Sequence, residues 1–181
     1  MTVKETKLKG CFVIEPKIFE DKRGYFLESY NQKLFNNLIG ANIKFVQDNE
    51  SFSSKGVLRG LHYQTGKHAQ SKLVRVLKGK VLDVAVDIRK QSQTFGKHIA
   101  VELSKENKKQ LYVPRGFAHG FIVLSDTAIF SYKCDNFYKK EAEAGIIYND
   151  KNLNIDWQLN EEDFIVSEKD LILPKFENAI L

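Results

Sequence analysis

Two of the four histidines sit where polar side chains are out of place. His62 is embedded in Val57-Leu-Arg-Gly-Leu-His-Tyr-Gln64, and His119 in Val113-Pro-Arg-Gly-Phe-Ala-His-Gly-Phe121, both strongly apolar runs. Tyr132 lies in Ala128-Ile-Phe-Ser-Tyr-Lys133, and Lys72 opens Ser71-Lys-Leu-Val-Arg-Val76. Taken singly, each has an ordinary explanation. A histidine in an apolar strand is commonly a hydrogen-bonded core residue, a tyrosine there usually packs, and a lysine can mark a strand end. Taken together with Arg59, they put several polar groups on separate apolar segments of one small chain. Burying such groups without partners is expensive, and a shared polar cavity removes that cost. In such a cavity His and Tyr exchange protons with a substrate, and a cationic side chain faces developing negative charge.

Other chemistries find less support. Many double-stranded β-helix proteins hold a metal through His-x-His, a following Glu and a later His. Here the residue two places after His62 is Gln64, no acid follows in the usual place, and His68 and His98 lack suitable neighbours. Two spaced histidines make a poor ligand set, so neither a metal nor another cofactor is expected. Cys11 and Cys134 show no ligand or redox spacing and neither adjoins a histidine, which reads as two buried thiols. Gly-x-Ser-x-Gly and Gly-x-x-x-x-Gly-Lys are both absent. Acid–base chemistry by His and Tyr remains.

The elements that must position these residues repeat mostly every second residue. In Lys80–Arg89 one face carries Leu82, Val84, Val86 and Ile88, and the other carries Asp83 and Asp87. Ile99, Val101 and Leu103 share a face, and Phe117–Leu124 is nearly continuous in apolar residues, as a strand buried on both sides would be. Further strands are expected at Cys11–Glu15, Gly24–Tyr30, Ile43–Phe52, Val57–Gln64, Ser71–Lys78, Gln110–Val113 and Thr127–Asp135, with turns at Gly56, Lys78-Gly79 and Ser125-Asp126. Only Asn31–Ile39 has helical spacing, through Leu34, Phe35 and Leu38. Many short strands and one helix imply an all-β double-sheet jelly roll or barrel, because an open sheet would leave its edges unpaired. Residues 1–181 read as a single domain: a core over about 10–150, then a tail over 151–181 with a turn or short helix at Glu161–Asp163.

Composition narrows the field further. With 43% hydrophobic and 12% aromatic residues the chain can bury a core, which excludes global disorder. No apolar run approaches the ~18–20 residues of a membrane span, and Met1–Gly10 has no apolar core of a signal peptide, so no membrane association and a cytoplasmic location are expected. The net charge of +5 arises from 28 Lys+Arg against 23 Asp+Glu. Lysine is scattered among acids and amides, as on a solvated surface, and the total suits a small anion or nucleic acid equally. The five arginines, Arg23, Arg59, Arg75, Arg89 and Arg115, are more informative by position. Arg75 and Arg89 read as structural or surface residues.

Several ungapped blocks closely resemble the dTDP-4-dehydrorhamnose 3,5-epimerase family: Arg23-Gly-Tyr-Phe-Leu-Glu-Ser29, Phe45-Val-Gln-Asp-Asn49, Gly56-Val-Leu-Arg-Gly-Leu-His-Tyr-Gln64, Ala69-Gln-Ser-Lys-Leu-Val-Arg75, Asp83-Val-Ala-Val-Asp-Ile-Arg89, Gly116-Phe-Ala-His-Gly-Phe121 and Ser167-Glu-Lys-Asp170. They run in order along nearly the whole chain. The resemblance implies a cupin-type jelly roll, a homodimer, no metal, and epimerisation at C3 and C5 of dTDP-4-dehydro-6-deoxy-D-glucose on the way to dTDP-L-rhamnose and a cell-surface polysaccharide such as O-antigen. It further implies His62 as base, Asp170 as its orienting partner, Lys72 facing the C4 oxygen, and Tyr132 as the acid. Arg23 and Arg59 would bind the diphosphate, with Gln47, Asp48 and Asn49 in the same site and His119 on the sugar–phosphate side. Phe26 would stack on the thymine, with Glu28 accepting from its N–H. Tyr138, Glu143 and Lys169 complete the substrate-binding set, and part of the nucleotide site would come from a partner subunit through exchanged N-terminal strands. Thr65-Gly-Lys-His68, Arg115 and Tyr148-Asn-Asp-Lys151 depart from the common pattern, and none removes a catalytic residue.

One difficulty stands in the alternation itself: Arg59 and His62 fall on opposite faces of an ideal strand, so either Gly60 permits a bulge or twist that re-aims one of them, or Arg59 reaches the diphosphate around the pocket mouth. Two competing readings are a non-catalytic sugar-nucleotide-binding module, against which the joint presence of His62, Asp170, Lys72 and Tyr132 argues, and a metal-dependent cupin oxygenase or isomerase.

Overall fold

The computed structural model describes residues 1–181. In chain order its elements are β1 (Thr2–Glu5), β2 (Phe12–Glu15), β3 (Ile18–Asp21), β4 (Gly24–Leu27), α1 (Gln32–Ile39), β5 (Gln47–Ser54), β6 (Val57–Gln64), β7 (Lys72–Lys78), β8 (Lys80–Asp87), β9 (His98–Ser104), β10 (Gln110–Val113), β11 (Phe117–Val123), β12 (Thr127–Cys134), β13 (Glu143–Gly145), β14 (Ile165–Val166) and α2 (Glu168–Leu171). One sheet runs β1-β2-β10-β7-β12-β5, the other β13-β6-β11-β8-β9 with β14 added to β6, and β3-β4 forms a separate hairpin. The protein is thus a double-sheet jelly roll, as the period-two pattern predicts.

The expected strands are present, some with different bounds. Residues 43–46 do not extend β5: the Asn36 side chain binds both the N–H and the carbonyl of Ile43, and Ile43 and Phe45 pack beside Phe35 of α1. That helix starts at Asn31, whose side chain accepts from Leu34 N–H, and stops at Gly40 in the left-handed conformation.

Three apolar layers follow. Between the sheets lie Val74, Val76, Val81, Ala85, Leu111, Phe121 and Phe130. The helix covers the outside of the first sheet through Phe35, Leu73 and Tyr112. The outside of the second sheet is covered by the C-terminal segment, where Ile146, Leu153 and Trp157 pack on Leu58, Leu82, Val84, Val86 and Ile122. The segment expected as a tail is therefore a packed layer. It explains why β8 and β11 are buried on both faces, and why the odd-numbered face of β8, with Asp83, turns into the interior.

Candidate active site

A cavity of about 530 Å³ opens between the two sheets. Of the residues singled out from the sequence, Arg59, His62, Lys72, His119, Tyr132, Lys169 and Asp170 line it. Arg59 and His62 stand on β6 and His119 on β11 of the second sheet, whereas Lys72 on β7 and Tyr132 on β12 belong to the first. The two groups consequently face one another across the cavity.

Gly60 resolves the alternation problem. Val57 and Arg59 face inward, and so does His62, so the parity changes within three residues. On β11, His119 pairs with His62 and Phe121 with Arg59, so β6 carries one extra residue and the register shifts there. Gly60 has φ +126°, and a Cβ on it would stand 2.6 Å from the Gly120 Cα and 2.9 Å from the His119 carbonyl oxygen. Only glycine fits both the backbone conformation and the contact. The bulge also turns the Gly60 N–H to Asp170, donating to Oδ2 at 3.2 Å.

Asp170 reaches the cavity on a strap that rejoins the second sheet at β14, parallel to β6. Gly56 and Gly145 allow the strap to lie close: a Cβ at either would overlap Asp163 or Leu173. Ser167 caps α2 by accepting from Asp170 N–H. The outcome is a 2.7 Å hydrogen bond between His62 Nε2 and Asp170 Oδ1, with the His62 side chain 30% exposed and that of Asp170 5% exposed. Burial raises the Asp170 carboxyl pKa, but the hydrogen bond and charge of His62 outweigh it and hold it below the ordinary carboxylate value. With Nε2–H donated to Asp170, Nδ1 carries the free lone pair of a neutral His62.

Across the cavity the electrostatics differ. Burial lowers the Lys72 pKa, partly offset by the nearby Cys134, Asp83 and Glu143 groups. Its Nζ lies 6.0 Å from the centroid of the Tyr132 ring. Burial raises the Tyr132 pKa, so the phenol keeps its proton at neutral pH. Both cysteines behave as inert buried thiols, Cys11 pushed up to about 12 and Cys134 to about 11 chiefly by burial.

At the mouth, Tyr138 Oη donates to Glu143 Oε2 at 2.8 Å and Lys169 Nζ meets Glu143 Oε1 at 2.6 Å, linking three predicted residues in one chain. Gln47 and Asn49 face inward on β5 and bond one another at 3.0 Å. Asp48, between them, points to the opposite face by strand alternation and pairs with Lys133 at 2.8 Å. Arg23, Phe26 and Glu28 do not reach this cavity. They ride on or beside the β3–β4 hairpin, which hydrogen-bonds to neither large sheet, with Arg23 paired to Asp21 and Phe26 68% exposed.

Three residues with a part in the site were not singled out. Asp83 is fully buried and receives His119 Nε2 at 2.9 and 3.0 Å on its two oxygens. Ser53 accepts from Arg59 Nε and Nη2 at 3.4 and 3.3 Å. Ser167 caps the helix that carries Asp170. For Asp83 the signal was an acid on the inward face of an otherwise apolar strand; nothing in the spacing marks the two serines. No group of three or more His, Cys, Asp and Glu side chains is placed to share a metal ion, and no helix is long and apolar enough to cross a membrane.

Residues 5–178 match the family model for dTDP-4-dehydrorhamnose 3,5-epimerase. The chain is 54% identical over 179 residues to the Shigella flexneri dTDP-4-dehydrorhamnose 3,5-epimerase, covering 99% of this chain and 98% of the relative. Among solved structures, the Elizabethkingia anophelis dTDP-4-dehydrorhamnose 3,5-epimerase superposes with a TM-score of 0.96 at 62% identity, covering 98% of this chain and 97% of that one. The Legionella pneumophila dTDP-6-deoxy-D-glucose-3,5-epimerase, solved in complex with dTDP-4-keto-L-rhamnose, gives 0.94 at 50% identity over 98% of this chain and 93% of that one.

Proposed function

This chain belongs to the dTDP-4-dehydrorhamnose 3,5-epimerase family, and from that premise we propose that the cavity between its sheets is the epimerase active site. The reaction is epimerisation at C3 and C5 of dTDP-4-dehydro-6-deoxy-D-glucose to dTDP-4-dehydro-L-rhamnose, a step of dTDP-L-rhamnose biosynthesis. Both protons lost lie α to the C4 carbonyl, so removal of either gives an enolate whose charge sits on the C4 oxygen. His62 is the base through Nδ1, because Asp170 holds the other ring nitrogen and stabilises the cation that forms. Lys72 faces the enolate oxygen from a site where burial strengthens its field. Tyr132, protonated at rest, returns a proton from the opposite wall and so inverts each centre.

The observation that carries this reading is the His62–Asp170 pair set across one cavity from Tyr132 and Lys72. Arg59, anchored by Ser53, takes the diphosphate, with His119 on the sugar–phosphate side. Gln47, Asn49 and the linked Tyr138, Glu143 and Lys169 surround the nucleotide end. The whole chain works as one epimerase domain in the cytoplasm, as a homodimer in which the projecting hairpin carries Arg23, Phe26 and Glu28 into the partner's cavity. The exposure of Phe26 and the absence of strand pairing between the hairpin and either large sheet support that exchange.

The test is NMR of dTDP-4-keto-6-deoxyglucose incubated with enzyme in deuterated water. Deuterium is expected at C3 and C5 with the wild type, and at neither position with His62→Ala; exchange retained by His62→Ala would remove His62 from the base role.

A further inference from the structure

The wall that carries His62 holds a second histidine–carboxylate pair. His119 on β11 is the register partner of His62 on β6, so the two imidazoles stand side by side. His119 Nε2 meets both oxygens of Asp83, at 2.9 and 3.0 Å, and its ring stacks on Phe130 with centroids 6.2 Å apart. Nδ1 has no hydrogen-bond partner within the protein, yet the only buried side-chain atoms left unpaired are the hydroxyls of Tyr30, Ser51 and Ser71. Nδ1 is therefore open to the cavity that His119 lines.

The two pairs differ in what surrounds the carboxylate. Asp170 accepts from Gly60 N–H as well as from His62. Asp83 has no exposed side-chain surface and no hydrogen bond except from His119. Burial pushes the Asp83 carboxyl pKa up, and the charge and hydrogen bond of His119, followed by the charge of Lys72, oppose it. Such a carboxylate is costly unless a cation is held against it. With Nε2–H turned to Asp83, the second proton of an imidazolium sits at Nδ1, which becomes a donor facing the cavity. A base needs a lone pair there, so this pair does not duplicate His62–Asp170. A cationic donor suits an anionic oxygen instead. We propose that Asp83 is a positioning residue that holds His119 as a cationic Nδ1–H donor to the phosphate next to the sugar, and so keeps His119 out of proton abstraction. The assignment rests on the function proposed for the cavity. Two like pairs on one wall then divide the work, one moving protons and the other binding the anion.

The experiment compares wild type, Asp83→Asn, His119→Gln and the double variant, by calorimetric titration with dTDP and by steady-state kinetics on dTDP-4-keto-6-deoxyglucose. Asparagine keeps the shape of Asp83, glutamine keeps an N–H for it, and melting curves check that each variant folds. Whichever way the new amide turns, the ring loses its charge or its Nδ1 proton, so a charge-assisted bond to phosphate falls to a neutral one or to none. Each single change is expected to weaken dTDP binding about tenfold. KM should rise by the same factor, with kcat within about threefold of wild type. The double variant is expected to bind dTDP no more weakly than the weaker single variant, because both changes remove one contact; a loss acting through Lys72 would multiply instead. At saturating substrate in deuterated water, Asp83→Asn should exchange both C3 and C5 within about threefold of the wild-type rate. Unchanged dTDP affinity, losses that multiply, or a fall in kcat at unchanged KM overturns the assignment. Should Asp83→Asn misfold, Asp83→Leu, which also removes the charge, completes the same cycle. If the wild type neither binds dTDP nor exchanges either proton, the reading of the cavity itself fails. If it does both and Asp83→Asn binds dTDP as tightly as wild type, only the role of Asp83 does.

Discussion

Replacing Asp170 by Asn tests the dyad at the atom on which the mechanism depends. The substitution conserves volume, but the single amide oxygen can accept either from His62 Nε2–H or from Gly60 N–H, the 3.2 Å bond that ties the strap to the β6 bulge, and not from both. It removes the negative charge lying 2.7 Å from His62 Nε2. When His62 takes a proton from C3 or C5, the resulting imidazolium has lost its ion partner. A charge-assisted hydrogen bond is worth about 1.5–3 kcal/mol. Because the Asp170 side chain is 5% exposed, water replaces little of that interaction, and the upper value applies. About 3 kcal/mol corresponds to a fall of ~150-fold in kcat. If the Asn amide instead presents its NH2 to Nε2, the proton moves to Nδ1 and the base nitrogen is blocked, which deepens the loss. KM should stay within about threefold, since the interaction strengthens only as the proton moves. The assay is steady-state kinetics together with the rate of deuterium entry at C3 and C5, both expected to fall in parallel, on protein whose melting temperature is checked. A folded Asp170→Asn enzyme with kcat within about fivefold of wild type would refute the dyad.

Tyr132→Phe should still exchange deuterium while completing inversion at least about 100-fold more slowly, because removal by His62 survives and delivery from the opposite wall does not; normal epimerisation would take Tyr132 out of the acid role. Asp87 stands apart from catalysis. Burial raises its carboxyl pKa, but hydrogen bonds from Arg89, Ser92 and Thr94 win and hold it at about 2. A depressed carboxylate contributes stability above its unfolded pKa near 4 and loses it as pH falls toward 2, about 2 kcal/mol here. Asp87→Asn should therefore melt lower at pH 7 and show a flatter acid limb between pH 4 and 2 than wild type.

What was legible in the sequence divides along the range of the interactions. The long strands announced themselves through alternation, and α1 through Leu34, Phe35 and Leu38 with Asn31 as cap. Four elements, β1, β3, β13 and β14, are two to four residues long and carry no clear apolar alternation of their own. The packed C-terminal layer was hidden for a related reason. Ile146, Leu153 and Trp157 lie in a segment that is neither strand nor helix, and only the near-continuous apolar run of β11 hinted that something must cover the second sheet. Single inward residues on regular strands, His119, Tyr132 and Lys72, reached the cavity where alternation put them. Asp83, the unforeseen partner of His119, comes from the adjacent strand β8, and Ser53, the unforeseen partner of Arg59, from β5 in the opposite sheet, so these pairings depend on register and on how the sheets face, which spacing along one strand does not encode.

The pair Arg59 and His62 shows where pattern alone fails and what replaces it. Strict alternation forbids both from entering the same cavity, yet catalysis needs the diphosphate anchor and the base on one wall. The extra residue at Gly60 satisfies both, and it does so only because His119-Gly120 opposite leaves room for a backbone with no side chain. The same bulge frees a backbone N–H for Asp170, so one irregularity aims Arg59, aims His62 and steadies the carboxylate behind it. A residue with a Cβ at position 60 would have to displace the β11 backbone that carries His119. It follows that the base, its carboxylate and the diphosphate anchor are geometrically coupled through one glycine, and that these three groups cannot be repositioned independently.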